Sequence, residues 1–333
     1  MIDFTKVGLN YHNVVLQHNK GIVKSRSECD ISVLVKDKKL SCPIFLSNME
    51  MLQAPNPEVL AHFNRRKFGY TYHRLGGLNE AERCNDIYSF LYNANKNNWH
   101  FKSISIGVQP EHFKLLKRIK ETGLKLDCLV IDLAFVYTFE NLSFVSKVRE
   151  ILPDVFLVAG NFTSPWAALE LEKIGVDCGK FGIGTSKKCR TYQRTGIGTA
   201  IISDLASCKE KTSKLKYMVD GGLTILEDGE VCIGDCSKAL NFGADFIMSA
   251  SLFQRITELA DDSGNIHCYG NSTAAAKKSH RHDEGAEFFI KTNGKTLDKT
   301  MDIVEDSLKS FCSYAGINKI SEAYQSCDYK IVI

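Results

Sequence analysis

The sequence predicts an α/β chain folded as a single (β/α)8 TIM barrel with a short flap after strand 8. Three observations lead there. Eight short apolar runs recur along the 333 residues. Amphipathic stretches of helical period lie between them. The length suits one barrel-sized domain over residues 1–333, with 44% hydrophobic residues to fill its core. An open doubly wound sheet accounts for the alternation less well, because no G-x-G-x-x-G follows the first run.

The runs are Cys42 to Ser47, Gly69 to His73, Ser103 to Gly107, Cys128 to Asp132, Val155 to Gly160, Asp177 to Gly182, Leu215 to Asp220 and Asp245 to Ala250. Several are nearly continuous in Ile, Val, Leu and Phe, as parallel strands buried on both faces are. Between them, Pro110 to Lys120 and Trp166 to Ile174 carry apolar residues at i, i+3 and i+4 with charges elsewhere. A polar arm with Lys24-Ser25-Arg26-Ser27 precedes the first run. Residues 263–292 break the alternation and are too polar for core, so they are expected to form a flap over the site. A helical pattern returns over 300–319 and is expected to pack on the barrel.

Composition removes several functions. The formal net charge is only +3, and no basic stripe interleaved with aromatics runs along one face, so nucleic-acid binding has no support. Small anionic substrates stay open. Met1 to Lys6 has no leader pattern, and no apolar run is long enough to span a bilayer, which predicts a soluble, cytoplasmic protein without a membrane partner. The twelve cysteines are then expected to stay reduced. Cys232 and Cys236 form a C-x-x-x-C with no second pair at zinc spacing, and are read as non-metal residues.

In a barrel, chemistry gathers where strands end. Those ends are polar or glycine-rich: Ser47-Asn48-Met49-Glu50, His73-Arg74, Asp132, Gly160-Asn161, Asp220-Gly221-Gly222 and Ser249-Ala250-Ser251. An acid closing an apolar strand suits a ribose hydroxyl, and Gly221-Gly222 suits the close approach of backbone amides to a phosphate. The run Gly182 to Gly198, G-I-G-T-S-K-K-C-R-T-Y-Q-R-T-G-I-G, presents Cys189 in a loop. A free cysteine is ordinarily a small buried hydrophobe. Cys189 instead stands beside Lys187, Lys188 and Arg190, cations that stabilise a thiolate and suit a nucleophile.

Taken together, Gly182-Ile183-Gly184, Cys189-x-Thr191, Asp220-Gly221-Gly222, Gly243-Ala244-Asp245-Phe246, Tyr269-Gly270 and Glu284-Gly285 resemble the IMP dehydrogenase and GMP reductase family in order and spacing. Lys24 to Ser27, Ser47-Asn48-Met49, Ala159-Gly160-Asn161 and Ser310-x-Cys312-Ser313-Tyr314-x-Gly316 extend the resemblance to nearly the whole chain. Arg194-Thr195-Gly196-Ile197-Gly198 is similar to the reductases' K-T-G-V-G. No regulatory insertion interrupts the early runs, and the segment between Lys278 and Glu284 is too short for the dehydrogenases' long flap.

The resemblance implies NADPH-dependent reductive deamination of GMP, or a close purine nucleotide, to IMP and ammonia through a covalent Cys189 thioimidate. It implies catalytic roles for Cys189, Thr191 and Glu284, the last two handling the proton at the leaving amine. On the substrate side it implies Asp220, Gly221, Gly222, Lys187, Ala250, Ser251, Asn271, Ser272 and Arg281. On the cofactor side it implies Asp132, Asn161, Arg74 and Tyr314. It further implies a monovalent cation (K+) at Gly184 and Ser186, and a homo-oligomer, a tetramer. Departures cluster around the phosphate: Lys187 replaces a serine, Arg190 a threonine and Ala250-Ser251 a Gly-Gly pair, while Asn271 replaces a methionine, Phe135-Val136 an Asn-Gly pair and Glu50 an aspartate. An IMP dehydrogenase without a regulatory domain and a catalytically silent nucleotide binder are the alternatives.

Overall fold

The computed structural model describes residues 7–77, 79–185, 191–224, 229–270, 273 and 287–332. Each of the eight apolar runs becomes a strand of one eight-stranded sheet. In chain order these are β1 (Ile44–Leu46), β2 (Gly69–Tyr70), β3 (Ser103–Ile106), β4 (Cys128–Asp132), β5 (Phe156–Phe162), β6 (Cys178–Phe181), β7 (Lys216–Asp220) and β8 (Phe246–Ser249). All seven adjacent pairings are parallel, in the order β2-β1-β8-β7-β6-β5-β4-β3. Tyr72 closes the ring: its N–H donates to Ser103 and its carbonyl accepts from Ser105, each at 2.9 Å. The doubly wound alternative is thereby excluded.

A helix follows every strand: α1 (Glu58–Arg65), α2 (Glu80–Lys96), α3 (Pro110–Glu121), α4 (Phe139–Ile151), α5 (Pro165–Ile174), α6 (Ile201–Lys211), α7 (Gly234–Asn241) and α8 (Leu297–Ala315). Proline opens α3 and α5, where its missing N–H costs nothing. The helix expected over 300–319 starts earlier and stops earlier. Thr296 caps it by accepting from the Lys299 N–H at 3.2 Å, and Gly316, at φ +71°, ends it in the left-handed region.

Residues alternate between the barrel interior and the helix-facing side. The lower interior is apolar: Phe45 meets Phe246 edge-to-face at 5.5 Å, and Phe156 meets Phe246 at 6.0 Å. Toward the C-terminal strand ends the interior turns polar, with Asp132, Lys180 and Asp220. The opposite end is covered by the N-terminal segment, where the hairpin Val33–Val35 and Lys38–Leu40 brings Lys38 within 3.7 Å of Asp127, just ahead of β4. The excursion after β8 has a two-stranded antiparallel stem, β9 (Asn265–Tyr269) with β10 (Glu287–Lys291). Among the described residues no helix is long and apolar enough to cross a membrane.

Gly160 of β5 lies in register between Asp132 of β4 and Lys180 of β6. A Cβ there would fall 2.1 Å from the Lys180 carbonyl oxygen and 2.5 Å from the Lys180 Cβ. Only glycine leaves room for Lys180 to pass. Gly160→Ala is therefore expected to destabilise the protein by about 3 kcal/mol or to prevent folding, by overpacking the barrel wall. Urea unfolding checks this, and wild-type stability would mean that β5 and β6 are not so close.

Candidate active site

Lys180 stands on β6 facing the barrel interior and is 3% exposed. Burying an ammonium is costly unless acceptors surround it. Here they do. Its Nζ donates to Asn161 Oδ1 at 2.9 Å, pairs with Asp132 Oδ1 at 3.1 Å and makes a short contact to Asp220 Oδ2. Asp132 ends β4 and Asp220 ends β7, so one cation joins strands on either side of the mouth. Arg74, in the loop after β2, adds its Nε at 3.3 Å from Asp132 Oδ2. Asn48, after β1, lies close enough to the same carboxylate to help keep it ionised.

Electrostatics follow from this ring. Burial alone would raise the Asp132 carboxyl, but Lys180 and then Arg74 outweigh it and hold it at about 2. Burial pulls Lys180 the other way, toward neutrality, and Asp220 and Asp132 overcome it, so its ammonium is held above the usual range. With two carboxylates and two cations, the cluster is neutral overall.

Asn161 is more committed than expected for a cofactor contact. Its Nδ2 donates to the Gly182 carbonyl at 2.7 Å and to Asp220 Oδ2 at 2.9 Å, and its Oδ1 takes the Lys180 proton. Both amide hydrogens are occupied, which leaves only a lone pair on Oδ1. Asp220 keeps acceptor capacity. Its side chain is 23% exposed, and Oδ1 has no protein partner among the described residues. That suits a ribose hydroxyl. Thr185 holds the strand end by donating from Oγ1 to the Asp220 carbonyl at 2.7 Å.

Gly221 and Gly222 both have positive φ, +72° and +77°. Their roles differ. The Gly221 N–H is already used by the Met248 carbonyl at 3.0 Å, so of the pair Gly222 alone has its amide left for a phosphate among the described residues. A Cβ on Gly222 would meet Ile201 at 2.6 Å, which keeps the turn against α6. After β8, Ser249 and Ser251 pair through their hydroxyls at 3.2 Å, and the Ala250 carbonyl accepts from Phe253 in a tight turn.

Thr191 opens a one-turn helix, Thr191–Thr195, after the cysteine loop. Cys189, Lys187, Ser186, Asn271, Ser272, Arg281 and Glu284 lie outside the described residues. Gly184 has φ +69°, and a Cβ on it would lie 3.5 Å from the Ile197 carbonyl oxygen. Among the described residues there is no group of three His, Cys, Asp or Glu side chains that could hold a metal ion.

Tyr314 is not brought to this mouth. Helix α8 runs back antiparallel to β8, so its C-terminal end lies at the opposite end of the barrel. There Tyr314 is 69% exposed and its carbonyl accepts from Asn19. The neighbouring Asn318 bonds Asp30, whose carboxylate pairs with Lys39 of the covering hairpin at 3.9 Å.

A nicotinamide group fits the cofactor side on the chemistry of its donors. The Asp132 side chain is 11% exposed at the mouth and, ionised, keeps lone pairs for a carboxamide N–H. Arg74, 25% exposed, lies beside it with the charge a phosphate ester needs. Lys180 is the residue that strand patterns missed. Its signal was present: one charge at an inward position of an otherwise apolar strand, preceded by Gly179 and faced by Gly160.

A closed β/α barrel with an ion-paired mouth and a glycine-flanked cysteine loop defines the chain as a barrel enzyme. A family model described as "IMP dehydrogenase / GMP reductase domain" matches residues 8–332, and the chain belongs to that family. It is 30% identical to a GMP reductase of Staphylococcus carnosus over 331 residues, 97% of this chain and 96% of that protein. Similar figures hold for a GMP reductase of Clostridium acetobutylicum, 31% identical over 97% of this chain and 95% of its own length. A Helicobacter pylori GMP reductase is 30% identical over 97% and 96%. The chain is accordingly a GMP reductase-like oxidoreductase.

Two buried histidines beside this mouth set a pH response. Burial pushes His73, after β2, down to about 4, and burial followed by Arg74 does the same to His112. Between these values and the ordinary 6.5, the unfolded chain binds more protons, so stability falls on acidification. About 1.4 kcal/mol should be lost per pH unit per histidine in that window. The Asp132 contribution persists there and disappears only as pH drops from about 4 toward 2. Urea unfolding at pH values between about 7 and 5 checks the sign, and His73→Gln should flatten the slope by about half.

Proposed function

We propose that the chain catalyses NADPH-dependent reductive deamination of GMP, or of a close purine nucleotide, to IMP and ammonia. The observation that carries this is the meeting of Asp132 and Asp220 on Lys180, at the mouth from which the Cys189 loop departs. Likeness to GMP reductases along 97% of the chain supports it. The strand ends supply acceptors for a ribose and for a carboxamide side by side, which a two-substrate redox site needs.

The Cys189 thiolate adds to purine C2, the bond from C2 to the exocyclic amine breaks, and ammonia leaves a C2-linked thioimidate. Bound NADPH supplies the hydride that C2 then requires. Scission of the C2–S bond releases IMP and returns the electron pair to sulfur, so GMP, NADPH and two protons give IMP, NADP+ and ammonium. Thr191 and Glu284 deliver the proton to the departing amine.

Asp220 accepts from the ribose, and Gly222, Ser251 and Lys187 hold the phosphate, with Gly221 and Ala250 shaping the turns around it. Lys187 there acts as a point charge where Ala250-Ser251 limits backbone approach. Asn271, Ser272 and Arg281 face the purine. Asp132 and Arg74 orient the nicotinamide side, with Asn161 fixing the angle of Asp220. Potassium at the Gly184 and Ser186 carbonyls would brace the cysteine loop. The working assembly is a homotetramer.

Mixing the protein with GMP and NADPH should consume nicotinamide absorbance, whereas IMP with NAD should produce little. Activity only in the second mixture would assign an IMP dehydrogenase, and none in either a silent binder. Cys189→Ala should lower turnover at least about 1000-fold while GMP binding stays measurable by calorimetry. Undiminished turnover in that variant would exclude the covalent route.

A further inference from the structure

Lys180 spends its charge on protein partners beneath the mouth. It is buried to 3% exposure beneath the two carboxylates, and its Nζ is fully used by Asn161, Asp132 and Asp220. Those partners come from three strands, β5, β4 and β7, none of them Lys180's own. To reach Asp132 on β4 its side chain crosses β5 at Gly160, where a Cβ would stand 2.5 Å from its own. The barrel wall is thus opened at one residue so that a cation can join two half-sites.

We infer that Lys180 is a positioning residue that makes the nucleotide-side Asp220 and the cofactor-side Asp132 one electrostatic unit, keeping both ionised and at fixed spacing. The inference rests on the proposed assignment of those carboxylates to substrate and cofactor, but its physical content does not depend on turnover.

The charged and polar groups around the pair define what happens when Lys180 is removed. Among the described residues, Asp132 would keep Arg74 and Asn48 nearby, whereas Asp220 would keep only the Asn161 amide. A partly buried carboxylate that loses the one cation paired with it among the described residues, while a second carboxylate stays close, takes up a proton at higher pH. Asp220 therefore becomes the group that titrates. Once protonated it turns one acceptor oxygen into a donor, and a ribose hydroxyl loses its charge-assisted bond.

The test uses the full-length protein labelled with carbon-13 at aspartate Cγ, with Asp132→Asn and Asp220→Asn to assign the two signals. In the wild type neither carboxyl should titrate above about pH 5. In Lys180→Met the Asp220 signal should titrate between about pH 5 and 8, and GMP affinity measured by calorimetry should weaken about tenfold as pH falls through that transition. Lys180→Met/Asp132→Asn removes one negative charge with the cation, so Asp220 should again be ionised throughout and GMP affinity should recover.

If Lys180→Met does not fold, the double variant is compared with the wild type instead, and an Asp220 signal that titrates above about pH 5 in it overturns the inference. A flat Asp220 signal in Lys180→Met overturns the inference. So does a double variant that binds GMP no better than the single one, which is the pattern of a merely structural lysine. If the wild type binds no GMP, the proposed function fails, while the carboxyl titrations still decide the role of Lys180.

Discussion

One buried ammonium sets the terms for the mouth of this barrel. Lys180 sits where an uncompensated charge would not be tolerated, so Asp132, Asp220 and Asn161 must all turn toward it. Each carboxylate satisfies the lysine with one oxygen and keeps acceptor capacity on the other, while Asn161 is committed on both sides of its amide. The same contacts that remove the desolvation cost also aim two carboxylates at the space above. Arg74 supplies the fourth charge, and the two cations balance the two carboxylates.

The surrounding architecture serves that contact. Phenylalanines fill the lower barrel, so the polar layer is confined to the strand ends. Gly160 gives Lys180 its passage, Thr185 pins the end of β7, and Asn161 ties the start of the cysteine loop at Gly182 to Asp220. The start of the loop that carries Cys189 is thereby anchored to the Asp220 carboxylate. If Cys189 is the nucleophile and Asp220 the ribose anchor, as proposed, this shared hydrogen-bonded support keeps the two in mutual register, which is what proximity catalysis demands.

Much of this was legible in the residues. All eight strands were visible because parallel strands buried on both faces read as apolar runs, and the polar strand ends marked Asp132, Asn161 and Asp220. Lys180 was hidden by the same habit of counting apolar residues, since a single lysine hardly disturbs a run. The bounds of α8 shifted because Thr296 and Gly316, not periodicity, fix its ends. Distances alone could reveal that the Gly221 amide is taken by the sheet, that both Asn161 amide hydrogens are committed, and that Tyr314 lies at the far end of the barrel.

The departures around the phosphate now have a common setting. Ala250 and Ser251 form a turn held by side-chain and backbone bonds of its own, and Gly221 offers no amide, so the backbone cradle is smaller than two glycine pairs would make it. In the proposed function, a side-chain cation such as Lys187 then carries more of the recognition. The central claim, that Cys189 bonds to the purine while this mouth holds it, is tested most directly by acid-quenching the protein during reaction with GMP and NADPH and weighing the peptide that contains Cys189. The account predicts that a fraction of this peptide carries the nucleotide less ammonia. Steady consumption of NADPH with that peptide always unmodified would contradict it.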